Sequence, residues 1–299
     1  MIPLKDLNPT RRPGYLTIAL ITLNVAVFFW QMGHKGLEGE LLFYRYGMIP
    51  KCFLAQGSAE KHEQALREAL TPTAKRWLSG SRAFNEKVAE RIRKATGHAG
   101  PIYVTRGERV ETAVQILREG VGRRDEPLTI ISSIFMHGGF LHILGNMWFL
   151  WIFGNNIEDA CGRIRFIIFY LLCGLLATLA HIFTGPASIV PTIGASGAIS
   201  GVLGGYLLLY PHARILSLIP LGYFYWAQEV PAWVFLGVWA LVQWLSGFST
   251  LNSPVTAGTA WFAHVGGFCA GLVLITVFRR SPRRTPAMME YDLDNLQSG

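Results

Sequence analysis

The 299-residue sequence predicts an all-α polytopic membrane protein, with six spanning helices and an enlarged first loop. Three observations predict it. Hydrophobic residues make up 51% of the chain and charged residues 15%, against about 25% charged in soluble domains, and the mean hydropathy is positive. Six apolar runs reach or approach the roughly 20 residues that a bilayer crossing requires. Lys and Arg fall in alternate connections between those runs, as they do when basic residues orient a bundle.

The first run covers residues 15–33. It is long enough to span and has no evident small-residue cleavage site, so it reads as a span and not as a cleaved signal peptide. The second covers 140–154 and is short, with 131–136 as a segment that can dip in ahead of it. The third covers 166–183, the fourth 194–210, the fifth 231–248 and the sixth 261–278. Trp30, Trp148, Trp151, Trp226, Trp233 and Trp261 fall near the ends, where amphipathic indoles anchor at the interface.

Lys5, Arg11 and Arg12 precede the first run, Arg163 and Arg165 follow the second, and Arg214 follows the fourth. Arg279, Arg280, Arg283 and Arg284 follow the sixth, whereas the connections at 185–193 and 249–260 hold no Lys or Arg. All the others of the 27 belong to 34–129, which is longer than the roughly 60 residues to which the rule applies. The expected topology therefore places 1–14 and 281–299 in the cytoplasm and 34–129 outside, with a five-helix membrane core at 130–280. The net charge of +8 is read as topology. No stacking platform or basic groove points to nucleic acid.

Residues 34–129 are too polar to span and too long for a plain connection. Phe84, Val88 and Ile92 recur every four residues among charged neighbours, and Val110, Val114, Leu117 and Val121 suggest a second amphipathic helix after a strand-like 101–105. Two readings stand: a small solvated subdomain, or a helix lying on the membrane surface or docking a partner. Cys52, Cys161, Cys173 and Cys269 lack close spacing, which gives neither a disulfide framework nor a zinc knuckle.

The fourth run opens Gly194-Ala195-Ser196-Gly197 after Pro191, so a helix is expected to start near Ser196. Free N–H groups and the positive end of the dipole gather there, and such donors suit an oxyanion. Gly197, Gly201 and Gly204 or Gly205 recur on one face, a spacing that admits close helix approach, and Gly194 is counted with these helix-packing glycines. Packing alone is the plainer reading. The sixth run carries His264, Gly267 and Gly271 on one helical face. Ordinary helices about 8–10 Å apart would not bring short side chains together; glycines on both partners reduce the separation. A lone interfacial histidine is the alternative. Polar groups at membrane depth are costly and so suggest function, and serine with histidine is the minimum pair for nucleophilic hydrolysis.

The second run contains His137, His142 and Asn146. His142 and Asn146 are four apart and share a face, and two side-chain donors there would complete an oxyanion hole with the Ser196 N–H. A metal at His137 and His142 is the rival; their spacing does not suit one helix face, and no HExxH motif occurs. A structural role for Asn146, bridging spans, is a further alternative. Glu158 and Arg163 flank a cytoplasmic turn and suggest a structural salt bridge. The apolar 218–226 reads as interfacial, without chemistry.

Taken together and in order, Gly194-x-Ser196-Gly197, Ala263-His264-x-x-Gly267-x-x-x-Gly271 and His142-x-x-x-Asn146 resemble the rhomboid family of intramembrane serine proteases, bacterial type. The likeness covers 15–33 and 129–279, leaving the long segment outside. It implies a six-helix rhomboid-like bundle in a bacterial cytoplasmic membrane and a Ser196–His264 dyad without an acid. His142, Asn146 and the Ser196 N–H would be the oxyanion donors, and no cofactor or metal would be used. The implied substrates are single-pass membrane proteins, cut in or near their membrane helix. They would enter sideways from the lipid bilayer by movement around 233–244 and the loop at 249–258. Two departures stand out. Some members carry an aromatic residue four after the serine, stacked on the histidine, where this chain has Ser200. Many carry a Trp-Arg pair in the first loop, and none occurs here. A catalytically inactive relative that binds membrane helices would normally lack the serine or the histidine. A transporter would show internal repeats and broken midplane helices, and no convincing repeat is found.

Overall fold

The computed structural model describes residues 1–96, 105–221, 224–251 and 260–280. Among these, each of the six apolar runs is helical. Helices α1 (Tyr15–Gly33), α9 (Arg163–Thr184), α11 (Ala232–Leu251) and α12 (Trp261–Phe278) are long and apolar enough to cross a membrane. Helices α7 (Glu126–Phe135) and α8 (Phe140–Cys161) form a fifth candidate as one pair bent by 81°. Helix α10 (Ser196–Leu209) has only 14 residues. At 1.5 Å per residue it falls about 9 Å short of a hydrocarbon core of about 30 Å, so the helix by itself does not reach across one. The chain is an integral membrane protein of the predicted all-α polytopic class. The tail at 281–299, most of the 249–258 loop and the strand-like 101–105, except Thr105, lie outside the described residues.

Helix α10 is the centre. Its residues from Gly197 to Tyr206 are buried, against α9 on one side and α12 on the other. The approach rests on absent side chains. A Cβ on Gly197 would stand 2.7 Å from Ala177 Cβ, and one on Gly201 would meet Cys173. One on Gly267 would fall on the Gly197 carbonyl oxygen, and one on Gly271 on that of Gly201. Backbone cannot yield as a flexible side chain can. Gly271→Ala is therefore expected to lower stability by about 1–3 kcal/mol, read as the thermal midpoint in detergent. Gly33→Ala serves as control, because a Cβ there meets nothing within 4 Å; equal midpoints for the two variants would refute the close-packing account.

Helix α8 runs seven residues beyond its apolar run, through Asn155-Asn156-Ile157-Glu158-Asp159. Those polar residues hold the N-terminal segment. Asn8 donates to Asn156 Oδ1 at 2.8 Å, Asn156 donates to Asp6, and Tyr206 Oη donates to Asp6 Oδ1 at 2.6 Å. Burial raises the Asp6 carboxyl above its ordinary pKa, against the opposing hydrogen bonds from Tyr206, Asn8 and Asn156. The expected Glu158–Arg163 bridge does not form. Arg163 lies over the Tyr15 ring at 5.0 Å, and Glu158, 3% exposed, caps α1. It accepts from Leu16 N at 3.0 Å, Thr17 N at 2.8 Å and Thr17 Oγ1 at 2.9 Å. A carboxylate at a helix N-terminus meets free donors and the positive dipole end; an arginine would have to compete with both. Glu158→Ala leaves buried donors unpaired and is expected to cost about 1–3 kcal/mol, measured by thermal unfolding. An unchanged midpoint would remove Glu158 from this role.

A three-stranded antiparallel sheet was not anticipated. It joins β1 (Ile2–Asp6), β2 (Arg214–Leu221) and β3 (Phe224–Pro231) in that order, with Ile2 opposite Leu218 and Ile215 opposite Val230. It takes up the described part of 218–226, whose Tyr225 and Trp226 are exposed.

The long segment between α1 and α7 holds α2 (Gly36–Tyr46), α3 (Pro50–Ala55), α4 (Ala59–Gly80), α5 (Arg82–Thr96) and α6 (Arg106–Val121). They enclose their own core, in which Leu66 and Leu70 meet Phe84, Val88, Val114 and Leu117. Both amphipathic faces read from the sequence are thus spent against each other, which leaves neither for a bilayer surface. Helix α6 starts with a capping box: Glu108 N donates to Thr105 Oγ1 at 3.2 Å, and Thr105 N donates to Glu108 Oε2 at 2.7 Å. The unit is tied to α7 by Arg124 and Glu126, buried and paired at 2.7 and 3.0 Å, with His62 on the same carboxylate at 2.8 Å.

Candidate active site

The site is assembled where α8, α10, α11 and α12 meet. Gly194 has φ +118°, a conformation open to glycine at low cost, and its N–H donates to the Ser133 carbonyl at 2.8 Å. That turn starts α10 at Ser196, so the hydroxyl stands at the helix N-terminus, half-buried. The segment before it is fixed from outside the helix. Met48 and Thr192 form a β-bridge, with N···O distances of 3.1 and 2.7 Å. The enlarged loop therefore touches the chain two residues from Gly194.

From α12, His264 places Nε2 at 2.8 Å from Ser196 Oγ. Its other nitrogen, Nδ1, lies 2.8 Å from Gln243 Oε1 on α11. Two indoles border the imidazole. Trp239 lies at 6.3 Å with a 34° interplanar angle, and Trp261 at 6.1 Å and 87°. Ser200 is turned away; its hydroxyl donates to the Ser196 carbonyl at 2.6 Å. The ring neighbours that the sequence left open at Ser200 thus come from α11 and the start of α12. The Gln243 contact adds a polar neighbour to these rings.

On the other side of the serine stand His142 and Asn146, in the first two turns of α8. Gly138 N donates to His142 Nδ1 at 3.3 Å. An accepting Nδ1 places the ring proton on Nε2, so Nε2 is a donor. It is aimed at Gly194, where a Cβ would stand 2.7 Å from His142 Nε2 and 3.7 Å from Asn146 Nδ2. Gly194, expected among the helix-packing glycines, precedes the helix and instead keeps this space clear. Asn146 is buried, and its Nδ2 has no hydrogen-bond partner among the described residues. A buried, unpaired donor costs stability in a resting protein, and it is what an oxyanion hole holds ready. His137 stands edge to face with His142 at 5.1 Å. Its Nδ1 faces the Phe135 carbonyl at 3.3 Å, and among the described residues no cluster of three metal-ligating groups forms.

Ser196, His264, His142 and Asn146 line one cavity of about 970 Å³, together with Trp239, Gln243 and His181. The arrangement sets a hydroxyl against an imidazole nitrogen, an amide oxygen against the other nitrogen, and side-chain donors in the same cavity. It can carry out acyl transfer. Sequence reading missed Gln243 and Trp239. The signal was available: both are polar or amphipathic residues in an apolar run, four apart and so on one face.

Residues 124–281 match the family described as "Rhomboid domain". The chain is 32% identical over 150 residues to "Rhomboid protein 1, mitochondrial" of Saccharomyces cerevisiae, a stretch covering 49% of this chain and 40% of that one. It is 28% identical over 145 residues to "Putative rhomboid protease YdcA" of Bacillus subtilis, covering 48% and 64%. With "Rhomboid protease GluP" of the same organism it shares 33% identity over 93 residues, covering 31% and 18%. The matched stretch is less than two thirds of each relative's length.

Proposed function

This chain belongs to the rhomboid family, and we propose that it is an intramembrane serine endopeptidase. Its substrates are single-pass membrane proteins, cut in or near the membrane helix. The observation that carries the reading is the 2.8 Å approach of Ser196 Oγ to His264 Nε2, beside an unpaired Asn146 amide. His264 takes the proton from Ser196 as Oγ attacks the peptide carbonyl. The oxyanion receives hydrogen bonds from Asn146 Nδ2, His142 Nε2–H and the Ser196 N–H. His264 then protonates the leaving amine, and water hydrolyses the acyl-enzyme by the same steps reversed.

The distribution of basic residues supports cytoplasmic termini, with 34–129 on the opposite side; the location proposed with the family resemblance is a bacterial cytoplasmic membrane. Water reaches the serine through the cavity from that opposite side, since polar structure at membrane depth is tolerated beside a protein-lined cavity. Substrate enters laterally past α11, whose outer face exposes Val238, Leu241, Val242 and Leu245. The domain reading follows the same lines: a first span, a helical subdomain, and a catalytic core at 130–280.

The test is covalent. A fluorophosphonate probe is expected to label the purified protein in detergent, with the adduct on Ser196 by mass spectrometry. Labelling and cleavage of a reporter containing a transmembrane helix are both expected to be lost in Ser196→Ala. An adduct on another residue, or equal cleavage by the two proteins, would overturn the assignment.

A further inference from the structure

We infer that Gln243 is a positioning residue that sets the tautomer and plane of His264. The inference rests on the serine-hydrolase reading above and goes beyond a two-residue dyad. Gln243 is 7% exposed, in a largely apolar helix, and its Oε1 lies 2.8 Å from His264 Nδ1. A buried amide in such a place needs a partner, and among the described residues the imidazole is that partner.

The chemistry fixes which end of the amide faces the ring. If Gln243 donated to Nδ1, the ring proton would sit on Nε2 and point at Ser196, leaving no lone pair to accept the serine proton. With the carbonyl facing Nδ1, Nδ1 keeps its hydrogen and Nε2 is the acceptor. During attack, one proton passes from Ser196 Oγ to His264 Nε2. The Nδ1 proton stays on the ring throughout, and Gln243 accepts a hydrogen bond and takes no proton. Trp239 is one turn before Gln243 on α11 and borders the same ring, tilted by 34° with the centroids 6.3 Å apart. One helix therefore supplies both a hydrogen-bond partner and a ring neighbour of the imidazole.

An amide suits the place better than a carboxylate. A charge at membrane depth is costly, whereas a neutral carbonyl fixes the tautomer without that cost. The sacrifice is electrostatic, because the imidazolium formed in the reaction has no counter-charge beside it.

Two variants test this, Gln243→Leu and Gln243→Glu, with Ser196→Ala as the reference for no chemistry. Reporter kcat, reporter KM and the rate of fluorophosphonate labelling are measured across pH. The small probe does not depend on docking a substrate helix past α11, so its rate reads activation of Ser196 itself. Gln243→Leu is expected to lower kcat and the labelling rate together by about 10- to 100-fold, as loss of an orienting partner of histidine does elsewhere, with KM little changed. Gln243→Glu is expected to recover most of that loss. A carboxylate there holds the proton on the imidazolium more firmly, and because the base must be neutral to act, the acid limb of the rate profile moves to higher pH. The near-isosteric Glu variant answers the question even if the Leu variant does not fold.

A wild-type labelling rate in folded Gln243→Leu, or an unmoved acid limb in Gln243→Glu, would overturn the inference. If Ser196→Ala were inactive in the same experiment, the endopeptidase reading would survive that result. Cleavage by Ser196→Ala would instead remove the endopeptidase reading itself.

Discussion

Replacing Ser196 by alanine is expected to lower single-turnover cleavage of a membrane-anchored reporter by about 10⁴-fold or more. His264→Ala is expected to do the same, and the double variant to be no slower than either single one. The reason is that the two groups act as one unit. Oγ is a poor nucleophile while it keeps its proton, and the nearest acceptor is His264 Nε2 at 2.8 Å. Without the acceptor the hydroxyl cannot be activated; without the hydroxyl the acceptor has nothing to activate. A free-energy cost that fails to add is the signature of such coupling. Fully additive losses would show that Ser196 and His264 act in separate steps, and retained cleavage would remove them from the chemistry.

Asn146→Ala should lower kcat by about 10²- to 10³-fold, the usual cost of deleting one oxyanion donor, with KM close to the wild-type value. Stability distinguishes this from a structural lesion. Asn146 Nδ2 is buried without a partner among the described residues, so removing it breaks no hydrogen bond in the resting protein. The thermal midpoint is therefore expected to hold or to rise. A large drop in midpoint together with activity would instead assign Asn146 to bridging helices. His142→Ala is the harder experiment to read, because Gly138 N loses its acceptor at the same time.

The apolar runs were legible because lipid solvation acts on each segment separately: about 20 residues must be apolar whatever their neighbours do. Ser196 and His264 stood out for the same reason, as polar groups in such runs, each with glycines on its own face. The end of α8 was not legible. Asn156 and Glu158 look like the close of a span, and only the N-terminal segment lying against them, with Asp6, Asn8 and Thr17, accounts for a buried polar helix end. The small sheet was hidden likewise. Residues 2–6 have no strand signal strong enough alone, and they become a strand by pairing with residues some two hundred positions away.

The sequence by itself determined the membrane class, the positions of six helices, and which polar side chains would be expensive enough to need a purpose. It did so because hydrophobicity and helical periodicity are properties of a single segment. The tertiary structure decided which of those side chains meet. The 2.8 Å contact of Ser196 with His264 exists only because Gly267 and Gly271 let α12 close on the backbone of α10. Gln243 and Trp239 border the imidazole only because α11 packs beside α12. Contacts between segments depend on how closely backbones approach, and that distance is set by the residues missing from both faces at once.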